Sequence, residues 1–116
     1  MKLPSALNVR CVEWIKYNEG HQLENHKDSD TIYTISILTH DKSSFFSGGR
    51  LAIQDPKNET FFQFAKLEEQ GDAVLFLGEV PLLVTPVVGE KREVIVIEFW
   101  DHSCNVEYRH SRCILN

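Results

Sequence analysis

His26-Lys27-Asp28 is the part of this chain whose residue types and spacing most plainly carry chemistry. Residues i and i+2 of an extended strand point to the same face, so the imidazole and the carboxylate converge on one side. Such a pair supplies two of the three ligands in the facial set that holds non-haem Fe(II) and leaves positions open for substrate and oxygen. With five His in the chain, a His-x-Asp triplet arises by chance in roughly one sequence of four, so its surroundings decide what it means. Taken alone it also reads as a solvated turn, because Glu24, Asn25, Ser29 and Asp30 around it are polar.

The other reactive side chains are less organised. Cys11, Cys104 and Cys113 have no metal-type spacing, and their odd number argues against a disulfide framework. The expectation is a reducing, cytoplasmic compartment. The stretch from 101 to 116 carries His102, His110 and two of the cysteines at no recognised metal spacing, and it reads as a loosely docked tail. Gly48-Gly49 at the entry to a strand suits a bulge or a positive φ, and Gly71-Asp72 suits a hairpin turn. Trp14 and Trp100, in the first and last long strands, are expected in the core.

The elements that must position these groups are short strands. Val9 to Tyr17, Thr31 to Leu38, Arg50 to Gln54, Thr60 to Phe64, Ala73 to Leu77, Leu82 to Val88 and Glu93 to Trp100 are rich in β-branched and aromatic residues and bounded by Gly, Pro, Asn or Asp. Asp41 to Ser47 reads as a polar loop carrying Phe45 and Phe46, and Phe64 to Gln70 allows one helical turn that Gly71 stops. Glu93 to Trp100 is apolar on both alternating faces, which places it in the middle of a covered sheet. Seven or eight strands without intervening helices predict an all-β sandwich or barrel.

Composition sets the outer bounds. The 116 residues, 42% apolar and 25% charged, make one domain that buries about two-thirds of its extended surface. Its core runs from about 9 to 100. Twelve Lys and Arg against 17 Asp and Glu leave a net charge of −5. That balance excludes a dedicated nucleic-acid binder and suits an anionic membrane surface poorly. No apolar run approaches the roughly 20 residues of a membrane helix, and the first residues lack a signal-peptide core.

Read in order, Tyr17, Gly20, Leu23, His26-x-Asp28-Ser29, Thr34-x-Ser36-x-Leu38, Phe46-Ser47-Gly48-Gly49-Arg50-Leu51, Gly71-Asp72-Ala73-Val74-Leu75-Phe76, Val84-Thr85-Pro86-Val87 and Arg92 form a set. It resembles the catalytic core of the Fe(II)/2-oxoglutarate-dependent dioxygenases, on the prolyl 4-hydroxylase branch, from about Val9 to Trp100. The resemblance implies a double-stranded β-helix (jelly roll) of about eight strands with few or no helices. It implies an oxidoreductase that hydroxylates a residue in a peptide or protein, with Fe(II), 2-oxoglutarate and ascorbate as cofactors. His26 and Asp28 match the metal ligands. Arg92 matches the basic residue that grips the far carboxylate of 2-oxoglutarate, a role that suits a guanidinium's bidentate hydrogen bonds. Tyr17 matches a tyrosine lining the cosubstrate pocket. The plainer readings are a surface charge for Arg92 and a half-buried core aromatic for Tyr17.

One departure bears on turnover. The family's second metal His stands two residues before Val-Thr-Pro, and here that place is Leu82. Fifty-three residues lie between Asp28 and Leu82, Arg92 stands ten beyond it, and no His occurs between His40 and His102. Glu79 is the nearest oxygen ligand, but three residues along a strand point it to the opposite face. The alternative function is therefore a catalytically inactive relative serving as a binding or regulatory module. A small cupin-like or lectin-like jelly roll ranks last, since cupin sites favour a His-x-His that is missing here. Relatives also carry supporting helices before the core strands, where this chain has about eight residues. An exposed sheet face, covered by a partner or a second copy, or a fragment of a longer protein, is the expectation.

Overall fold

The computed structural model describes residues 6–28, 30–42 and 46–102. The sequence expectations for Ser29, Phe45, Cys104, His110 and Cys113 lie outside the described residues. Ten strands follow one another among those described: β1 (Asn8–Asn18), β2 (Leu23–His26), β3 (Tyr33–Leu38), β4 (Phe46–Gly48), β5 (Leu51–Asp55), β6 (Asn58–Phe64), β7 (Ala73–Leu77), β8 (Leu82–Val84), β9 (Val87–Gly89) and β10 (Lys91–Trp100). Eight of them form two four-stranded sheets, ordered β1-β10-β3-β7 and β2-β8-β5-β6, while β4 and β9 pair as a short ribbon. All pairings are antiparallel. The result is a double-stranded β-helix, with its core between the sheets.

The differences from the sequence reading have local causes. The run Leu82 to Val88 is two strands, because Thr85-Pro86 turns the chain to pair elsewhere: Thr85 N–H donates to Arg50 O, and Pro86 O accepts from Gly49 N–H. Gly48 and Gly49 take φ of 63° and 54°, which lets this second pairing begin. Phe46, expected in a loop, is buried and opens β4. Residues 65–70 form no helical turn, since Ala65 N–H continues the ladder to Leu51 O. Leu23–His26 forms a strand despite its polar residues, held as an edge strand against β8.

The two faces of the first sheet are patterned in reverse. Inward from β10 and β3 point Arg92, Glu98, Thr34 and Ser36, all buried, alternating with apolar neighbours. Outward, the register aligns Val12 with Ile97 and Trp14 with Ile95 across β1 and β10. It continues through Ile37 and Ile35 of β3 to Ala73 and Leu75 of β7. β10 is central, as expected, but its outer side is only half-buried. Trp100 is in the core; Trp14, expected there, is 73% exposed on the outer face. The period-2 pattern told which residues share a face but not which face the sheet would cover. No helix among the described residues is long and apolar enough to cross a membrane.

One glycine ties the second half of the fold to the loop after β2. Gly78 N–H donates to Ile32 O, and Gly78 O accepts from Asp28 N–H. A Cβ here would run into the Thr31 carbonyl. Gly78→Ala is expected to cost about 2 kcal/mol by overpacking and to lower the thermal midpoint by roughly 10 °C, measured by far-UV circular dichroism.

Candidate functional site

The space between the two sheets holds a small cavity of about 30 Å³. A water needs at least about 10–15 Å³ on this measure, so the space suits one or two. Tyr17, His26, Asp28, Leu82 and Arg92 all line it, together with apolar side chains that include Leu51, Phe76, Val94 and Val96. Residues spread over seventy-five positions of sequence thus meet because β1, β2, β8 and β10 contribute Tyr17, His26, Leu82 and Arg92, and the loop after β2 adds Asp28.

His26 ends β2 with its side chain 31% exposed, and its Nδ1 lies 2.8 Å from Glu24 O. A carbonyl only accepts, so Nδ1 carries a proton and Nε2 is the nitrogen left to face the cavity. Nε2 faces Asp28 Oδ1 at 3.5 Å. Asp28 is almost fully buried, and its other oxygen accepts from Thr34 Oγ1 at 3.0 Å. Two lone-pair atoms facing each other at this range repel unless a cation or a proton sits with them. The separation is close to the roughly 3.0–3.4 Å between adjacent ligands about 2.1 Å from one metal ion. Fixing the imidazole through a backbone carbonyl and the carboxylate through a hydroxyl is how metal ligands are commonly held.

Leu82 is the Cα partner of His26 across the β2–β8 ladder and is 4% exposed. Directly paired residues share a face, so its isobutyl group stands where a third ligand from β8 would reach the His26–Asp28 pair. Glu79 does not replace it: it is exposed and lines a separate surface cleft with Asp30, Thr31 and His102.

Arg92 opens the inward face of β10 and pairs across the ladder with Tyr17. It is 2% exposed, with its guanidinium carbon 5.1 Å from the Tyr17 ring centre. Its stem is packed under Gly49, where an added Cβ would come within 2.9 Å of Cδ. Burial pulls the guanidinium below its ordinary pKa, and the contact with Tyr17 works the other way. No carboxylate among the described residues forms an ion pair with it. A buried guanidinium without a counter-charge is costly, and an anion entering the cavity would offset that cost.

The sequence reading missed Thr34 as the residue that holds Asp28, and a second polar group farther along β10. Glu98 is fully buried; Thr31 Oγ1 donates to its Oε1 at 2.7 Å, Cys11 Sγ to its Oε2 at 2.8 Å, and Arg10 Nη1 lies 3.6 Å from Oε2. The signal was present as polar residues at alternate positions of apolar strands. Cys11, Glu13 and Glu98 are close enough to share a metal ion, which would displace the thiol proton on binding. Burial, then the hydrogen bond and charge of Glu98, push the Cys11 thiol up to about 12. The group gathers a thiol, a hydroxyl and a guanidinium around the oxygens of Glu98.

Comparison with known proteins agrees on architecture. No protein-family model matches the sequence, and no curated protein matches it. Among solved structures, a 2OG-Fe(II) oxygenase family oxidoreductase from Burkholderia pseudomallei superposes with a TM-score of 0.72 at 15% identity, over 84% of this chain and 46% of that one. A Pseudomonas putida prolyl-4-hydroxylase gives 0.66 at 21% identity, over 78% and 52%. A cupin domain from Bordetella pertussis gives 0.52 at 15%, over 87% and 99%. The fold is the one these proteins share, and the resemblance seen in the sequence is borne out at that level. The chain spans about half the length of the two oxygenase structures.

The buried thiol generates a test. Cys11 is expected to stay unmodified by iodoacetamide at pH 8 in the folded protein and to react once the protein is unfolded in guanidinium, read by peptide mass spectrometry. Rapid native-state labelling would contradict its protonated, enclosed state.

Proposed function

We propose that this chain is an Fe(II)/2-oxoglutarate dioxygenase-like domain of the prolyl hydroxylase type, acting on a residue in a peptide or protein and holding its metal through two protein ligands. The observation that carries this reading is the facing pair of His26 Nε2 and Asp28 Oδ1, 3.5 Å apart and each fixed from behind. The residues fit a divalent metal in two of the three protein positions. When bound, Fe(II) with 2-oxoglutarate supplies the oxidising power. His26 gives a nitrogen donor, and Asp28 a negative charge whose orientation Thr34 maintains. Arg92, with Tyr17 beside it, is placed to receive the far carboxylate of the oxo acid by paired, charge-assisted hydrogen bonds. The apolar walls at Leu51, Phe76, Val94 and Val96 keep water from that pairing and so strengthen it. A diacid of five carbons is larger than the cavity, so its entry requires those walls to move apart.

Leu82 favours a second reading, the same domain without turnover, serving as a binding or regulatory module around Arg92. Anaerobic calorimetry with Mn(II), with and without 2-oxoglutarate, separates the two. The proposed reading expects micromolar binding that tightens with 2-oxoglutarate, is lost in His26→Ala, and no longer responds to 2-oxoglutarate in Arg92→Met. Leu82→His is expected to raise Mn(II) affinity at least about 10-fold. Folded wild-type protein that binds no Mn(II) at millimolar concentration would overturn the enzyme reading and leave the module.

A further inference from the structure

Of the polar side chains that line the cavity, Ser36 is the one to which the proposed function gives no task. Ser36 of β3 is 5% exposed and faces the cavity with the metal pair and Arg92. Its hydroxyl forms no hydrogen bond among the described residues. The other buried threonine hydroxyls of this region are committed: Thr34 Oγ1 donates to Asp28 Oδ2 at 3.0 Å, and Thr31 Oγ1 to Glu98 Oε1 at 2.7 Å. Across the ladder Ser36 is the Cα partner of Val96 on β10 and of Val74 on β7. Directly paired residues share a face, so its neighbours in that row are apolar. A buried hydroxyl without a partner is destabilising there, and an alanine in its place is not.

Its position along the cavity fixes what the hydroxyl can meet. The inward positions of β3 run Thr34, Ser36, Leu38. Thr34 holds Asp28, while Leu38 pairs with Val94, the next inward position of β10 after Arg92. Successive inward positions of a strand are about 7 Å apart. Ser36 therefore lies on the wall between the metal pair and Arg92, one step from Thr34 and two from the row of Arg92. A linear diacid with one carboxylate on Arg92 brings its other end past Ser36 on the way to His26 and Asp28.

We infer that Ser36 is a ligand-binding residue of this cavity, its hydroxyl donating to an oxygen at the 2-oxo acid end of the bound diacid. The inference rests on the dioxygenase-like reading above and adds to it a contact for the end of the ligand that faces His26 and Asp28. Keto and carboxylate oxygens only accept, and the serine proton has no other acceptor here, so donor meets acceptor. A hydrogen bond to an ionised group is stronger than one between neutral partners, and the apolar walls strengthen it further. The contact comes from β3, on a wall opposite β8, where Leu82 offers no polar atom.

Anaerobic calorimetry at saturating Mn(II) tests this with two ligands: 2-oxoglutarate, and 2-oxopentanoate, which keeps the oxo acid end and lacks the far carboxylate. Ser36→Ala is expected to weaken both by the same factor, about 10-fold, while Mn(II) alone binds as in wild type. Arg92→Met is expected to weaken 2-oxoglutarate only. Without ligand, Ser36→Ala is expected to melt no lower than wild type by circular dichroism, because the lost hydroxyl had no partner. A lower melting point with unchanged ligand affinity would make the hydroxyl a packing group and overturn the inference. Unchanged affinity for both ligands, or a loss confined to 2-oxoglutarate, would overturn it too and leave the two-ligand metal reading in place. Wild-type protein that binds neither Mn(II) nor 2-oxoglutarate would overturn that reading and this inference together.

Discussion

The register of β10 is the constraint on which the other features depend. This strand lies between β1 and β3, so both its edges are spent on pairing. Side chains alternate between faces with a period of two, and a slip of one residue would move Arg92, Val94, Val96 and Glu98 outward together. In place of those four, Glu93, Ile95, Ile97 and Phe99 would enter the core. The partners enforce the alignment chemically as well. Arg92 meets Tyr17 of β1, and Glu98 meets Cys11 of β1 and Thr31 before β3. A slip would carry Arg92 and Glu98 out of the barrel and leave Tyr17, Cys11 and Thr31 inside without their partners.

The cavity and the Glu98 group show two ways of keeping charge inside one small β barrel. Glu98 is satisfied on both oxygens by a hydroxyl, a thiol and a guanidinium. Its polarity is spent within the structure. Arg92 has no carboxylate beside it among the described residues, and Asp28 has one oxygen facing an imidazole nitrogen. Both arrangements occur on the same inward face. Leu82 stands between these ideas: it is an ordinary core residue by packing, and it matters only because His26 is its ladder partner.

Much of this was legible in the chain itself. The strands around Val9, Ala73 and Glu93 stand out because β-branched and aromatic residues accumulate between Gly, Pro and Asn breaks. Ala73–Leu77 is observed with the boundaries read from sequence. His26-x-Asp28 was visible as a spacing, and its link to Tyr17, Leu82 and Arg92 came from the order of a family's motifs. What failed was local: β2 looked like a solvated turn, because an edge strand needs apolar contact on one side only. Thr34 and Ser36 entered only as members of the motif order and without a role, since a hydroxyl in a strand does not announce whether it faces water or a carboxylate.

The sequence by itself determined the all-β class, the central place of β10, and the residue types available for chemistry. These follow from periodicity and from turn residues, which are local properties of the backbone. Only the tertiary structure decided which side of each strand is inside. It is the closure of two sheets that turns Thr34 and Arg92 inward and Trp14 outward. Alternation says which residues travel together; the free energy of burying one set against the opposite sheet chooses between them, and that choice is made by residues on other strands.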